Sequence, residues 1–282
     1  MNKKKSLQEL TFKDNFMFGA VMLNPEICKG VLERSLGIEI ERVDISKERS
    51  IVYNPEYKGI RLDAYAKDEN NTRYDVEMQV LRKSAIQKRA RYYHGQIDME
   101  ILLSGLPYEE LPDTYVIFIC DFDPFDKKKY RYTCKTICEE VPELQMDDGA
   151  HTVFLSTKGE NKEEVPKELV DFLEFVGKPL SESEAEQDDI FIQKVQTTIR
   201  EVKKSREMGA RYMTFEELLK DERAEGRAEG RAEGDRNRLV SQVQKKLAKG
   251  DSVEKIADDL MEELSVIREI IKELQLERRD LI

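Results

Sequence analysis

With 282 residues, 39% of them hydrophobic, the chain can build one sizeable core and an appendage but not two large domains. Charged residues make up 37%, above the usual quarter or so, which implies solvated helix or linker beyond the core. The net charge of −11 sits poorly with a surface made for phosphates, but eleven acids and three lysines between residues 160 and 190 carry most of it.

No apolar run reaches the roughly 20 residues that span a bilayer, so no membrane segment is expected. Residues 1–5 are basic, but residues 6–14 carry no signal-like apolar stretch, and a cytoplasmic protein is expected. Cys28, Cys120, Cys134 and Cys138 contain no CxxC pair, and His94 and His151 are the only histidines. That donor set is too thin for zinc and points to reduced thiols.

Residues 7–23, with Phe12, Phe16, Phe18 and Val21, suit a short amphipathic helix. Asn24-Pro25 restarts the chain as cap and first helical residue. Ile27, Val31, Leu32 and Leu36 keep helical spacing, and Gly37 ends the helix. Residues 38–52 turn to strand alternation, ending at Asn54-Pro55.

Residues 59–80, GIRLDAYAKDENNTRYDVEMQV, read as two strands joined by the turn formers Asp68 to Asn71. Side chains alternate along a strand, so Asp75, Glu77 and Gln79 share one face, with Val76, Met78 and Val80 on the other. If the strands pair, Asp63 and Glu77 approach across the ladder. Two such carboxylates repel unless a cation lies between them, and oxygen donors with a few retained waters suit Mg²⁺. On alternation alone, a polar strand face simply meets water.

Ser84 caps a long helix to about residue 103, with Ile86, Arg89, Tyr93, Ile97 and Ile101 near its buried face. Arg82, Lys83, Lys88, Arg89 and Arg91 cluster around its first half. Gly105-Leu106-Pro107 stops it. Residues 114–120, TYVIFIC, form a continuous apolar run typical of a sheet interior. Residues 130–138 and 151–156 alternate as further strands.

Asp63 followed by Glu77-x-Gln79 resembles the Glu-x-Gln variant of the PD-(D/E)XK nuclease signature. The flanking segments Phe12-Lys13-Asp14-Asn15-Phe16-Met17-Phe18, Arg89-Ala90-Arg91-Tyr92-Tyr93 and Gly105-Leu106-Pro107-Tyr108 are similar to those of the Rpn family. These are recombination-promoting nucleases, also described as PD-(D/E)XK family transposases. The resemblance covers roughly residues 7–160 and the Arg-Ala-Glu-Gly repeats further on.

It implies an α/β fold with an αβββαβ core, a mixed sheet flanked by helices, and a helical C-terminal extension. The implied activity is a metal-dependent DNA endonuclease using Mg²⁺ or another divalent cation. Asp63, Glu77 and the Met78 carbonyl are the implied metal ligands, and Asp14 an extra acidic residue from the first helix. Gln79 takes the place of the usual lysine; an amide can orient water or phosphate but carries no charge. Gln79→Lys restores the commoner residue and is expected to keep or raise activity, or to lose it only modestly through repulsion by a bound metal. Lys88, Arg89, Arg91 and Tyr92 are the candidates for the DNA backbone. The alternative is a weak or inactive scaffold that binds DNA or assembles.

Residues 163–177 and 188–208 suit amphipathic helices, and a third starts near 214. Arg223-Ala224-Glu225-Gly226 then repeats at 227–230 and 231–234. Each glycine weakens a helix by about 1 kcal/mol relative to alanine, which suggests a charged spacer or, alternatively, a self-association helix. Residues 236–282 resemble a small helix-turn-helix, but Glu262, Glu263, Glu269, Glu273 and Glu277 favour protein contact over DNA. The expected divisions are a nuclease domain over 1–160, a helical extension over 161–221, the repeats over 222–235 and a helical domain over 236–282. A homo-oligomer through the C-terminal helices is one expected partner, DNA the other.

Overall fold

A computed structural model describes residues 5–46, 49–51, 60–82, 84–185 and 187–279. The chain divides into two compact units, residues 1–212 and 213–282.

The first unit opens with a 3₁₀ turn, Leu7–Glu9, followed by α1 (Asn15–Met22) and α2 (Pro25–Leu36). The helix expected over residues 7–23 starts late because the Asp14 carboxylate accepts the Thr11 backbone N–H at 2.7 Å, which holds a turn ahead of α1. Asn24 caps α2 by accepting from Glu26 and Ile27, and Gly37 ends it at φ 73°. The strand expected over 38–52 appears as β1 (Val43–Ser46) and β2 (Arg49–Ile51), and Asn54-Pro55 lies outside the described residues.

The expected strand around Asp63 is broken there into β3 (Ile60–Leu62) and β4 (Ala64–Asp68). β3 pairs with β2 in a separate ribbon, while β4 enters the main sheet. β5 (Arg73–Gln79), α3 (Ile86–Ile101), β6 (Thr114–Cys120), β7 (Arg131–Cys134) and β8 (Ala150–Ser156) follow. The sheet order is β1-β4-β5-β6-β8-β7. β1, β4 and β5 run antiparallel, β5, β6 and β8 run parallel, and β7 closes the far edge antiparallel. This is the expected mixed sheet flanked by helices. β6 lies inside it, and residues Val116 to Cys120 are fully buried, which is why that run reads as apolar on both faces. Val116, Phe118 and Phe154 share a core with Ile86, Tyr93 and Ile97 of α3.

α4 (Lys167–Gly177), α5 (Leu180–Ser183) and α6 (Ile190–Lys204) extend this unit past the boundary expected at residue 160. The reason is burial. Leu169, Phe172, Leu173 and Val195 are fully buried, and Phe12 meets Phe172 edge-on with ring centroids 5.8 Å apart. Tyr212 closes the unit by donating its hydroxyl to the Lys5 carbonyl at 2.8 Å.

α7 (Arg206–Ala248) is a single 43-residue helix that contains the repeats and crosses the boundary between units. In the second unit it joins α8 (Val253–Leu260) and α9 (Leu264–Arg279) around Val243, Ile256, Ile267 and Ile270. No helix among the described residues is long and apolar enough to cross a membrane.

Candidate active site

β5 is buried along nearly its whole length, including Asp75, Glu77 and Gln79. Register explains why this polar face does not meet water. Asp75, Glu77 and Gln79 pair with Val116, Phe118 and Cys120 of β6, so they point to the side that α3 covers.

Asp63 reaches Glu77 through the break between β3 and β4. Ala64 pairs with Val76, but β3 then departs to join β2, so the ladder ends at Asp63. Side chains replace the missing ladder bonds. The Asp63 backbone N–H donates to Glu77 Oε1 at 3.1 Å, and the Met78 N–H donates to Asp63 Oδ2 at 3.2 Å. The two carboxylates are thereby interlocked beside the Met78 main chain, where β4 no longer pairs with β5.

Gln79 donates from Nε2 to the Met78 carbonyl at 2.9 Å. Its Oε1 accepts from Arg89 Nη1 at 2.9 Å. Arg89 leans from the first turn of α3 and also bonds Glu77 Oε2. Tyr93, one turn later, accepts from Arg89 Nε at 2.9 Å and Nη2 at 2.6 Å. Arg89 thus sits inside the cluster rather than on the outer face of α3, where Lys88, Arg91 and Tyr92 are exposed. Asp14 is held by Thr11 and by Lys5 Nζ at 2.7 Å. α1 reaches the site elsewhere: a Cβ on Gly19 would lie 3.8 Å from the Asp63 carbonyl oxygen.

Burial, with the Asp63 charge adding to it, pushes the Glu77 carboxyl up to about 8, against the pull of Arg89. Burial, then Glu77 and Asp63, raise Asp75 well above the ordinary carboxylate range. Both Asp75 oxygens lack a hydrogen-bond partner among the described residues. Sequence reasoning placed Asp75 on the right face but not among the site residues, and read Tyr93 as core alone. The i,i+4 spacing of Arg89 and Tyr93 was the available signal.

The family described as PD-(D/E)XK nuclease family transposase matches residues 8–228. The chain belongs to that family. No curated protein and no solved structure matches it. Membership in the PD-(D/E)XK nuclease family transposases supports a nuclease-type function and, generally, use of a divalent metal ion. Among the described residues, no three His, Cys, Asp or Glu side chains are grouped to hold a metal by themselves. A hard ion that keeps several waters needs only one or two carboxylates. Asp63, Glu77 and the Met78 carbonyl supply oxygen donors alone, and the carboxylates around them are short of positive charge. This donor chemistry fits a divalent cation.

Proposed function

We propose that the chain is a metal-dependent DNA endonuclease that hydrolyses phosphodiester bonds. The observation that carries this reading is the interlocked pair of Asp63 and Glu77 at the strand break, beside the donorless Asp75. Burial and mutual repulsion raise the pKa of Glu77 and Asp75, and a divalent cation beside them would favour their ionised forms.

Asp63, Glu77 and the Met78 carbonyl would hold the ion, with Mg²⁺ as the natural choice for oxygen ligands. When bound, such an ion supplies positive charge to phosphoryl oxygens and acidifies a water. The chain's own residues position the rest. Gln79 fixes the Met78 carbonyl and hands its own oxygen to Arg89. Arg89 is part-exposed, and with Nε and Nη2 engaged one N–H of Nη1 remains for a phosphate oxygen. Lys88, Arg91 and Tyr92 offer the outer face of α3 to the DNA backbone. Asp14, held by Thr11 and Lys5, is left out of the ion's ligands in this reading.

Plasmid DNA incubated with purified protein, with and without Mg²⁺, tests this beside Asp63→Ala. Nicked and linear products that need both the ion and Asp63 are expected, and joined products would indicate strand transfer. Equal cleavage by Asp63→Ala, from preparations free of contaminating nuclease, overturns the reading.

A second reading is a scaffold that binds DNA or assembles without cutting. One observation favours it: Arg89 already occupies Glu77 and Gln79. DNA binding without cleavage under any divalent ion would establish it.

A further inference from the structure

Between residues 224 and 238 of α7, every position whose burial is described is exposed. Nothing among the described residues packs against the three glycines there. Gly226, Gly230 and Gly234 are helical, and a Cβ on any of them would meet nothing within 4 Å. Neither a positive φ nor close packing in this chain requires them, although each weakens the helix.

The repeat sets a charge pattern on that face. Successive residues turn by about 100°, so four rows run along the helix. Positions 223, 227 and 231 form an arginine row, 225, 229 and 233 a glutamate row, and 226, 230 and 234 a glycine row. The alanines form the fourth, across the helix from the glycines. Residues four apart are neighbours on a helix, so each charged row repels itself within one chain. The glycine row has the arginine row on one flank and the glutamate row on the other.

We propose that this face of α7 docks a second copy of the chain, parallel to the first, through the glycine row. In a parallel two-fold pair the left flank of one helix meets the right flank of its partner, as the flanking charges of a coiled coil do. Each arginine row then lies against a glutamate row, on both sides of the contact. In an antiparallel pair like flanks meet, arginine on arginine and glutamate on glutamate. Charge complementarity therefore selects both the occupant and its direction. Rows of residues four apart pack as ridges into grooves at a crossing angle of about −50°, and glycine lets the two backbones approach closely.

Sedimentation of the full-length protein at micromolar concentration reads the outcome. The parent chain is expected to be a dimer. Gly226→Gln with Gly230→Gln has room in the single chain, so it is expected to keep its helix content and sediment as a monomer. Arg223→Glu, Arg227→Glu and Arg231→Glu together should abolish self-association, as should Glu225→Arg, Glu229→Arg and Glu233→Arg together. Mixing the two charge variants should restore a dimer. With Cys134→Ser and Cys138→Ser in the background, Gly226→Cys should form a disulfide with itself. A monomeric parent, a glutamine variant that still dimerises, or charge variants that do not recombine would each overturn the proposal. A Gly226→Cys chain that cross-links only when mixed with Gly234→Cys would overturn the parallel direction.

Discussion

Arg89 puts a fixed positive charge 2.9 Å from the Gln79 amide oxygen, and that reverses one expectation drawn from the sequence. A lysine at residue 79 was expected to keep or raise activity, or to lose it only modestly. In the folded site its ammonium would face the Arg89 guanidinium, which already bonds Glu77 and is anchored by Tyr93. Two cations would then compete for one carboxylate while repelling each other. Gln79→Lys is thus expected to lose cleavage activity, and Gln79→Lys with Arg89→Gln to regain much of it. Gln79→Ala should lose about 10² to 10⁴-fold, the range of a lost positioning group, because the Met78 carbonyl and Arg89 both lose their partner. Single-turnover rates on one DNA substrate decide this. A Gln79→Lys chain as fast as the parent would show that Arg89 does not fill the cationic place.

α3 is fixed to the sheet by more than apolar contact. His94 Nδ1 lies 2.8 Å from the Thr114 hydroxyl and Nε2 lies 3.0 Å from that of Thr152, so one helix is tied to β6 and β8. Burial lowers the His94 pKa to about 4, with Asp148 opposing and His151 adding to the drop. The unfolded chain takes the proton near pH 6.5 and the folded chain only near 4. The stability held by neutral His94 is therefore full above pH 6.5 and is lost as pH falls towards 4, a loss on the order of 2–3 kcal/mol. Urea unfolding at both ends of that window should show a smaller gap for His94→Gln than for the parent, and an equal gap would refute the assignment. α2 gives a contrast of sign. A Cβ on Gly30 would lie 2.2 Å from the Phe191 ring, which Arg34 covers from 3.9 Å, whereas a Cβ on Gly95 of α3 meets nothing within 4 Å. Gly30→Ala should cost about 1–3 kcal/mol through overpacking, and Gly95→Ala should gain up to about 1 kcal/mol. Thermal melts of the two variants should move in opposite directions. These helices also mark what the sequence hides. Alternation along β5 showed that Asp75, Glu77 and Gln79 share a face, but not that α3 closes over it, since a polar strand face normally meets water. The break at Asp63 was equally silent, because alternation runs straight through it and the pairing of β3 with β2 decides it. The repeat left a charged spacer and a self-association helix both open, and α7 runs through its glycines unbroken.

At the scale of the whole chain, the order of helix, three strands, helix and strand was legible because period and turn residues agree in that stretch. The extent of the first compact unit was not, because what joins residues 161–212 to it is packing between distant segments. Phe12 packs edge-on against both Phe18 and Phe172, and Phe172 meets Phe191 with centroids 6.0 Å apart. Arg34 of α2 pairs with Asp189, the cap of α6, at 3.3 Å. Lys13 Nζ bonds Asp121 at the end of β6 and the Gly177 carbonyl at the end of α4. A chain ending at Gly159 would lose α4 and α6 and expose Phe12 along with its neighbours. Fully burying one such aromatic or aliphatic side chain is worth about 1.5–3 kcal/mol, and net stability is only about 5–15 kcal/mol. Losing Leu169, Phe172, Leu173 and Val195 together removes a comparable sum. Residues 1–159 are thus expected to show no cooperative melt and broad amide signals. Residues 1–216, which retain Tyr212 against Phe16 and the Lys5 carbonyl, are expected to melt in one sharp transition. A sharp melt from the shorter chain would mean that the sheet and α1 to α3 suffice, and that α4 and α6 merely dock on a finished core.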